Sequence, residues 1–113
     1  MLEQLRNAGI STLVVSNIPL RDPDRSQLVE LTTVVIERPN VGYDFGGYRD
    51  GIFDFTENLQ NLDRVCLLND SVWLMPHRPS WFEQARTMGK DFVGATSSSV
   101  SYTHLTLPTI CSV

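Results

Sequence analysis

Three short apolar runs in this chain each stop abruptly in polar residues, and the stretches between them have the spacing of helices. Ser11, Thr12, Leu13, Val14, Val15 and Ser16 are closed by Asn17 and Pro19. Thr32, Thr33, Val34, Val35, Ile36 and Glu37 are stopped by Arg38, Pro39 and Asn40. Arg64, Val65, Cys66, Leu67 and Leu68 end in Asn69, Asp70 and Ser71. Runs this short and continuously apolar suit strands covered on both faces. Strands alternating with helices join through crossovers into a parallel sheet. The expected fold class is therefore α/β: a Rossmann-like, mostly parallel sheet with flanking helices. At 113 residues the chain fits one small domain or an incomplete part of a larger one.

The helices have recognisable ends. Leu2, Leu5 and Ala8 fall at helical spacing over residues 1–8, with Gly9 just past the end. Residues 22–31 form a second helix, with Asp22 as the capping residue and Pro23 at the first helical position. Tyr48, Ile52 and Phe55 recur at i, i+4 and i+7, so a helix over residues 47–55 carries Ile52 and Phe55 to the core, and residues 58–63 bring the chain back. Ser80 with Glu83 has the form of a capping box for a helix over residues 81–88 that ends at Gly89. Residues 91–95 read as a fourth strand.

Several function classes are excluded. A net charge of −4 and no Lys/Arg-rich run leave no electrostatic footprint for a phosphate backbone, so nucleic acid is not a partner. No apolar stretch approaches the roughly 20 residues that span a bilayer, so no transmembrane segment is expected. The first residues lack the basic and apolar regions of a secretory signal. Cys66 and Cys111 have no metal-type spacing to another ligand, so a reducing cytoplasmic compartment is the expectation.

In parallel α/β sheets ligands sit outside the carboxyl ends of the strands, where loop amides and helix N-termini converge. Three polar clusters map to that edge: Ser16 with Asn17, the stretch containing Arg38, Asn40, Gly42 and Asp44, and the triplet Asn69, Asp70 and Ser71. Four of the seven glycines lie at Gly42, Gly46, Gly47 and Gly51. Their pattern is neither the dinucleotide GxGxxG nor a P-loop. They permit positive φ or close backbone approach, with Asp44 and Arg49 or Asp50 available to a polar ligand; the bland reading is a tight turn entering a helix. A carboxylate at the end of a buried strand is costly unless it meets a cation, a metal or a hydrogen-bonding ligand, which makes Asp70 the best single functional residue. Its bland reading is a cap for the following turn. An oxygen-rich triplet suits Mg²⁺ or Mn²⁺. His77, bracketed by Pro76 and Pro79, reads as an exposed loop residue. Trp73 and Trp81 either pack or stack on a sugar face, and Cys66 is expected to be buried and inert.

The ordered motifs Arg38-Pro39-Asn40-Val41-Gly42-Tyr43-Asp44-Phe45-Gly46-Gly47-Tyr48-Arg49-Asp50-Gly51, then Leu67-Leu68-Asn69-Asp70-Ser71-Val72, then Asp91-Phe92-Val93-Gly94-Ala95-Thr96, resemble the rhamnan synthesis F family of bacterial polysaccharide biosynthesis proteins. The resemblance covers residues 10–96 and implies assembly of rhamnose-containing cell-surface glycans. More distantly the arrangement is similar to the nucleotide-sugar half of GT-A glycosyltransferases. That likeness implies a GT-A-like sheet in which Asn40 and Gly42 stand at the turn, Asp44 and Arg49 face the donor, and Asp70 takes the place of the metal-binding acid. Ser16, Asn17, Arg38, Asn69 and Ser71 complete the expected donor-binding set. Where many GT-A enzymes have two aspartates separated by one residue, this chain has Asn69-Asp70-Ser71, and no residue reads as the catalytic base.

The implied activity is transfer of a sugar from a nucleotide-activated donor to a glycan acceptor, with Mg²⁺ or Mn²⁺ as cofactor. It would take place in the cytoplasm, at the inner face of the cell membrane where glycan assembly machinery sits. The alternative is a non-catalytic glycan- or nucleotide-sugar-binding module of a polysaccharide assembly complex. Residues 100–113 differ in texture, with no acidic or basic residue. They resemble a peptide, translated from sequencing-adapter DNA, that recurs at the ends of unrelated metagenomic proteins. The expected organisation is thus a partial nucleotide-sugar-binding domain over residues 1–99 and a non-native tail over 100–113.

Overall fold

The computed structural model describes residues 1–54, 60–71, 81–94 and 110–112. In chain order the elements are α1 (Leu2–Asn7), β1 (Ser11–Ser16), α2 (Asp22–Leu31), β2 (Val34–Glu37), α3 (Tyr43–Asp54), β3 (Val65–Leu67), α4 (Trp81–Thr87) and β4 (Ile110–Ser112). They divide into two units, residues 1–73 with 106–113, and residues 74–105.

In the first unit α1 ends as its sequence requires. Gly9 takes φ +74°, which a side chain would resist, and this lets the Gly9 N–H reach the Arg6 carbonyl and the Ile10 N–H reach the Leu5 carbonyl. These two bonds satisfy carbonyls that the helix end would otherwise leave open. The chain reverses there and enters β1. β1 and β2 pair in parallel, Leu13 opposite Val34, Val15 opposite Ile36 and Ser16 opposite Glu37. α2 is the crossover between them.

β4 lies between β1 and β3 and runs antiparallel to both, giving the order β2-β1-β4-β3. The sheet is therefore mixed, with its one parallel pair at β1 and β2. Because β4 opposes both neighbours, β1, β2 and β3 still point the same way. Their carboxyl ends share an edge. The α/β class thus stands, and β4 is drawn from the 100–113 stretch.

One core cluster forms around Leu13, fully buried, with Val15, Val34, Ile36, Leu67 and Tyr48 packed against it. Burying a leucine completely contributes roughly 1.5–3 kcal/mol. These residues alternate along β1 and β2, so they share one face of the sheet, and Tyr48 brings α3 to it. Thr12 points to the other face.

Four expectations change. α3 begins at Tyr43, four residues before the expected start, and its buried residues are Gly47 and Gly51. Ile52 is partly exposed and Phe53 largely so. The helix approaches the sheet on its glycine face, because small residues let the backbones close and leave no room for a large side chain between them. Phe55 lies outside the described residues. β2 starts at Val34 because Thr32 closes α2 instead, its hydroxyl donating to the Leu28 carbonyl at 2.7 Å. Asp22 is the first helical residue of α2 and Arg21 the cap position. The Asp22 carboxylate serves the Arg25 guanidinium at 2.6 Å rather than the helix amides.

In the second unit, α4 ends in a turn at Gly89 with φ +60°, as the sequence requires. The fourth expected strand does not form over residues 91–94. Phe92 is 92% exposed there, and a strand exists only where its amides and carbonyls find a neighbouring ladder. Trp73, His77, Ser80 and Ala95 lie outside the described residues. Among those described, no helix is long and apolar enough to cross a membrane.

Candidate functional site

The common carboxyl edge of β1, β2 and β3 brings three loops to the start of α3. The parallel ladder runs one step past the strands, with the Arg38 N–H donating to the Ser16 carbonyl at 2.9 Å. Arg38 then turns inward and is only about 10% exposed. Its three guanidinium nitrogens all have protein acceptors: Nε reaches Asp50 Oδ2 at 2.6 Å, Nη1 reaches Asn17 Oδ1 at 2.6 Å, and Nη2 reaches the Val41 carbonyl at 2.7 Å. A planar fork satisfied on every side is the environment in which a desolvated arginine is stable. Arg38 therefore holds the edge together: one side chain ties the end of β1, the turn after β2 and the middle of α3.

The turn depends on this. Val41 N–H closes on the Pro39 carbonyl at 2.8 Å, so Asn40 sits exposed at the apex of a three-residue turn. Gly42 follows with φ +79°, and Tyr43, the first residue of α3, takes φ +49°. Gly46, one turn into the helix, lies directly against the network: a Cβ there would fall 2.1 Å from the Val41 carbonyl oxygen and 2.8 Å from Arg38 Nη2. Asn17 completes the link, its Nδ2 donating to the Tyr43 carbonyl at 3.3 Å while its Oδ1 receives Arg38.

The third loop joins at the other side of α3. Asn69 Nδ2 donates to Asp44 Oδ2 at 3.2 Å, and Asn69 Oδ1 accepts the Ser71 N–H at 2.7 Å. The second bond is an Asx turn that fixes the direction of the loop. It leaves Asp70 exposed at the tip. Burial raises the pKa of the Tyr48 phenol, and the charges of Asp44 and Asp70 raise it further. The bond from Asn69, the neighbour of Asp70 in the chain, to Asp44 sets the loop after β3 beside the first turn of α3.

The expected residues separate into groups. Asn17, Arg38 and Gly42 build the edge. Asp44, Asn69 and Asp70 form an exposed polar cluster, with Ser71 contributing through its backbone. Asn40 stands free at the turn, in the wall of an open depression shared with Asn17, Pro19, Glu37, Arg38 and Pro39. The Ser16 hydroxyl is taken up locally, donating to the Ile18 carbonyl at 2.7 Å. Arg49 is 73% exposed and lies over the Phe53 ring at 5.2 Å, so the structure does not bring it to Asp44. Five positions along a helix put them about 140° apart. Cys66 is buried, and burial pushes its thiol up to about 11, consistent with an inert core cysteine.

Two contributors were not legible in the sequence reading. Gly46 owes its role to a non-local contact with Val41 and Arg38. Glu37, the last residue of β2, accepts from both the Arg25 guanidinium and the Leu20 N–H. It thereby pins the loop after β1 to β2. These hydrogen bonds, Arg25's foremost, hold its carboxyl down at about 2.

Comparison with known proteins adds a family. The model for rhamnan synthesis protein F matches residues 12–108. A protein of Sinorhizobium fredii (strain NBRC 101917 / NGR234), described as uncharacterized protein y4gN, is 37% identical over 94 residues, which is 82% of this chain and 24% of the relative. The chain thus spans about a quarter of that relative's length. No solved structure matches it.

Proposed function

Because the chain belongs to the rhamnan synthesis protein F family, we propose that it is the donor-binding part of a glycosyltransferase that moves a sugar, rhamnose in the first instance, from a nucleotide-activated donor to a growing glycan. The observation that carries this reading is the convergence of three loops at one carboxyl edge. Arg38 and Asn17 fix one side of the start of α3, and Asn69 fixes the other through Asp44. Rigid backbone beneath exposed polar tips is what a ligand-orienting site needs, since groups already held in place lose little entropy on binding.

In this reading Asp70 is the principal ligand-facing group. The Asx turn at Asn69 presents it outward, and the bond from Asn69 to Asp44 sets Asp44 beside the same loop. Two carboxylates on adjacent elements suit Mg²⁺ or Mn²⁺, which take one or two protein carboxylates and complete their shell with water and phosphate oxygens. Such an ion supplies charge neutralisation for the departing diphosphate. Asp44 and Asp70 would hold it, and Asn69 would keep their spacing. Asn40 and the depression beside Asn17 would receive the more distant part of the donor.

The test is Asp70→Asn in the complete protein, with donor turnover and donor binding measured separately. Loss of transfer by about two orders of magnitude, the scale typical of removing one electrostatic contact to a transition state, is the expected result. Full transfer activity in the variant removes Asp70 from the mechanism. A wild-type protein that binds nucleotide-sugar but never turns it over, even with acceptor present, is instead a binding module of the polysaccharide assembly complex.

A further inference from the structure

Tyr43 has features that the packing of α3 does not use. Among the described residues it is the one non-glycine with positive φ, at +49°. A side chain in that conformation is strained, which glycine avoids and asparagine largely avoids. The backbone around it is firmly held all the same. Its carbonyl accepts from Asn17, which is itself fixed by Arg38. The ring is 75% exposed, and among the described residues no other ring or cation packs on it. The neighbouring aromatics differ: Phe45 meets Tyr48 edge to face at 6.3 Å between centroids, and Phe53 lies under Arg49.

We propose that Tyr43 is an aromatic platform for the acceptor glycan, stacking against the apolar C–H face of a pyranose next to the donor site. This rests on the reading of the protein as one that handles sugars. The negative π face of a tyrosine attracts the weakly positive C–H groups of a sugar ring. Exposure decides which ligand the ring serves. A nucleotide base or any other small ligand is covered over most of its surface in a concave site. A ring that stands three-quarters open offers one shallow face, which suits a unit of a longer saccharide whose remaining surface stays in water. Its place on the chain, between Gly42 and Asp44, sets that platform on the rim of the edge from which the donor would be presented.

The experiment uses the complete protein, as for the proposed function, and two substitutions at this position. Tyr43→Gly keeps the left-handed backbone and the carbonyl that Asn17 holds, while Tyr43→Phe keeps the ring. Binding of a rhamnose oligosaccharide is followed by saturation-transfer NMR, and binding of UDP and dTDP with Mg²⁺ by calorimetry. The expected result is oligosaccharide affinity about fivefold weaker in Tyr43→Gly, as loss of a single aromatic contact implies, and within about twofold of wild type in Tyr43→Phe, with nucleotide binding unchanged in both. Equal oligosaccharide binding in Tyr43→Gly overturns the proposal. So does absence of oligosaccharide binding in the wild type, or a Tyr43→Gly protein that loses nucleotide together with oligosaccharide. A wild type that binds oligosaccharide through Tyr43 but neither nucleotide upholds the platform and refutes the donor reading alone.

Discussion

Replacing Gly46 by alanine tests whether the edge is built as described, because the substitution should act against its own local preference. Within a helix alanine is favoured over glycine by about 0.8–1.0 kcal/mol, and Gly46 lies inside α3. The added Cβ, however, would fall 2.1 Å from the Val41 carbonyl oxygen and 2.8 Å from Arg38 Nη2. The first contact is with backbone, so it cannot be relieved by a rotamer change. The turn after β2 must move, and with it the 2.7 Å bond from Arg38 to Val41. Overpacking typically costs about 1–3 kcal/mol, and loss of a hydrogen bond to a charged group about 1.5–3 kcal/mol. Set against the helical gain, Gly46→Ala should destabilise the chain by about 2–4 kcal/mol. Gly47→Ala is the internal control. There the new Cβ meets Val15 Cγ1 at 3.6 Å and Asn17 Oδ1 at 3.8 Å, ordinary contact distances, so the helical preference should prevail and stability should stay level or rise by up to about 1 kcal/mol. Urea denaturation of the two variants, with m checked against wild type, measures both. A Gly46→Ala midpoint at or above that of Gly47→Ala would refute the Arg38 and Val41 packing as the reason for this glycine.

Further outcomes follow from the same interactions. Arg38→Lys should cost about 1.5–3 kcal/mol by chemical denaturation, because an ammonium cannot serve Asp50, Asn17 and Val41 at once and charge-assisted bonds are lost; a loss under 1 kcal/mol, about the value of an exposed pair, contradicts its role as an organiser. Thr12→Val should be neutral or stabilising by about 1 kcal/mol, because the Thr12 hydroxyl is buried and has no hydrogen-bond partner among the described residues, while valine keeps the shape; clear destabilisation would mean that the hydroxyl is satisfied. The folded pKa of Glu37 lies below its unfolded value, so its contribution is present above the unfolded pKa of 4.5 and is lost as pH falls toward about 2. Glu37→Gln should therefore lower stability near neutral pH and converge with wild type in strong acid, as read by urea midpoints across that range.

The parts of the fold that were legible in the sequence are those with local causes. Gly9 marked the end of α1 because only a residue tolerant of positive φ closes that helix. Apolar runs closed by polar residues marked β1, β2 and β3, because β-branched and other apolar residues in an unbroken run favour a strand and the polar residues after them stop it. The misread elements had non-local causes. Ile52 sits at helical spacing from Tyr48, yet the sheet takes Gly47 and Gly51 instead; periodicity counts apolar residues and does not register a helix that docks through missing side chains. Residues 91–94 have strand-like composition, but composition cannot supply a neighbouring ladder.

The candidate site divides along the same line, and the division bears on function. Asp70 was visible because a carboxylate closing an apolar strand is anomalous in any fold. Arg38 was visible as a charge, but its structural bonds were not. A sequence cannot show that Asp50, Asn17 and Val41 converge on one guanidinium, so the residue expected to meet the donor instead uses its donors within the protein. Asp70, Asn40 and the Tyr43 ring are exposed at the same edge and, among the described residues, take no part in that buried network, which is why the proposed function gives the ligand to them. The two sets are complementary. Exposed polar tips can hold a fixed geometry only if buried groups beneath them are satisfied, and in this chain Arg38 meets that condition for the start of α3 while Asn69 meets it for Asp44. Substitutions at Arg38 should therefore impair ligand binding and stability together, whereas substitutions at Asp70 should separate them.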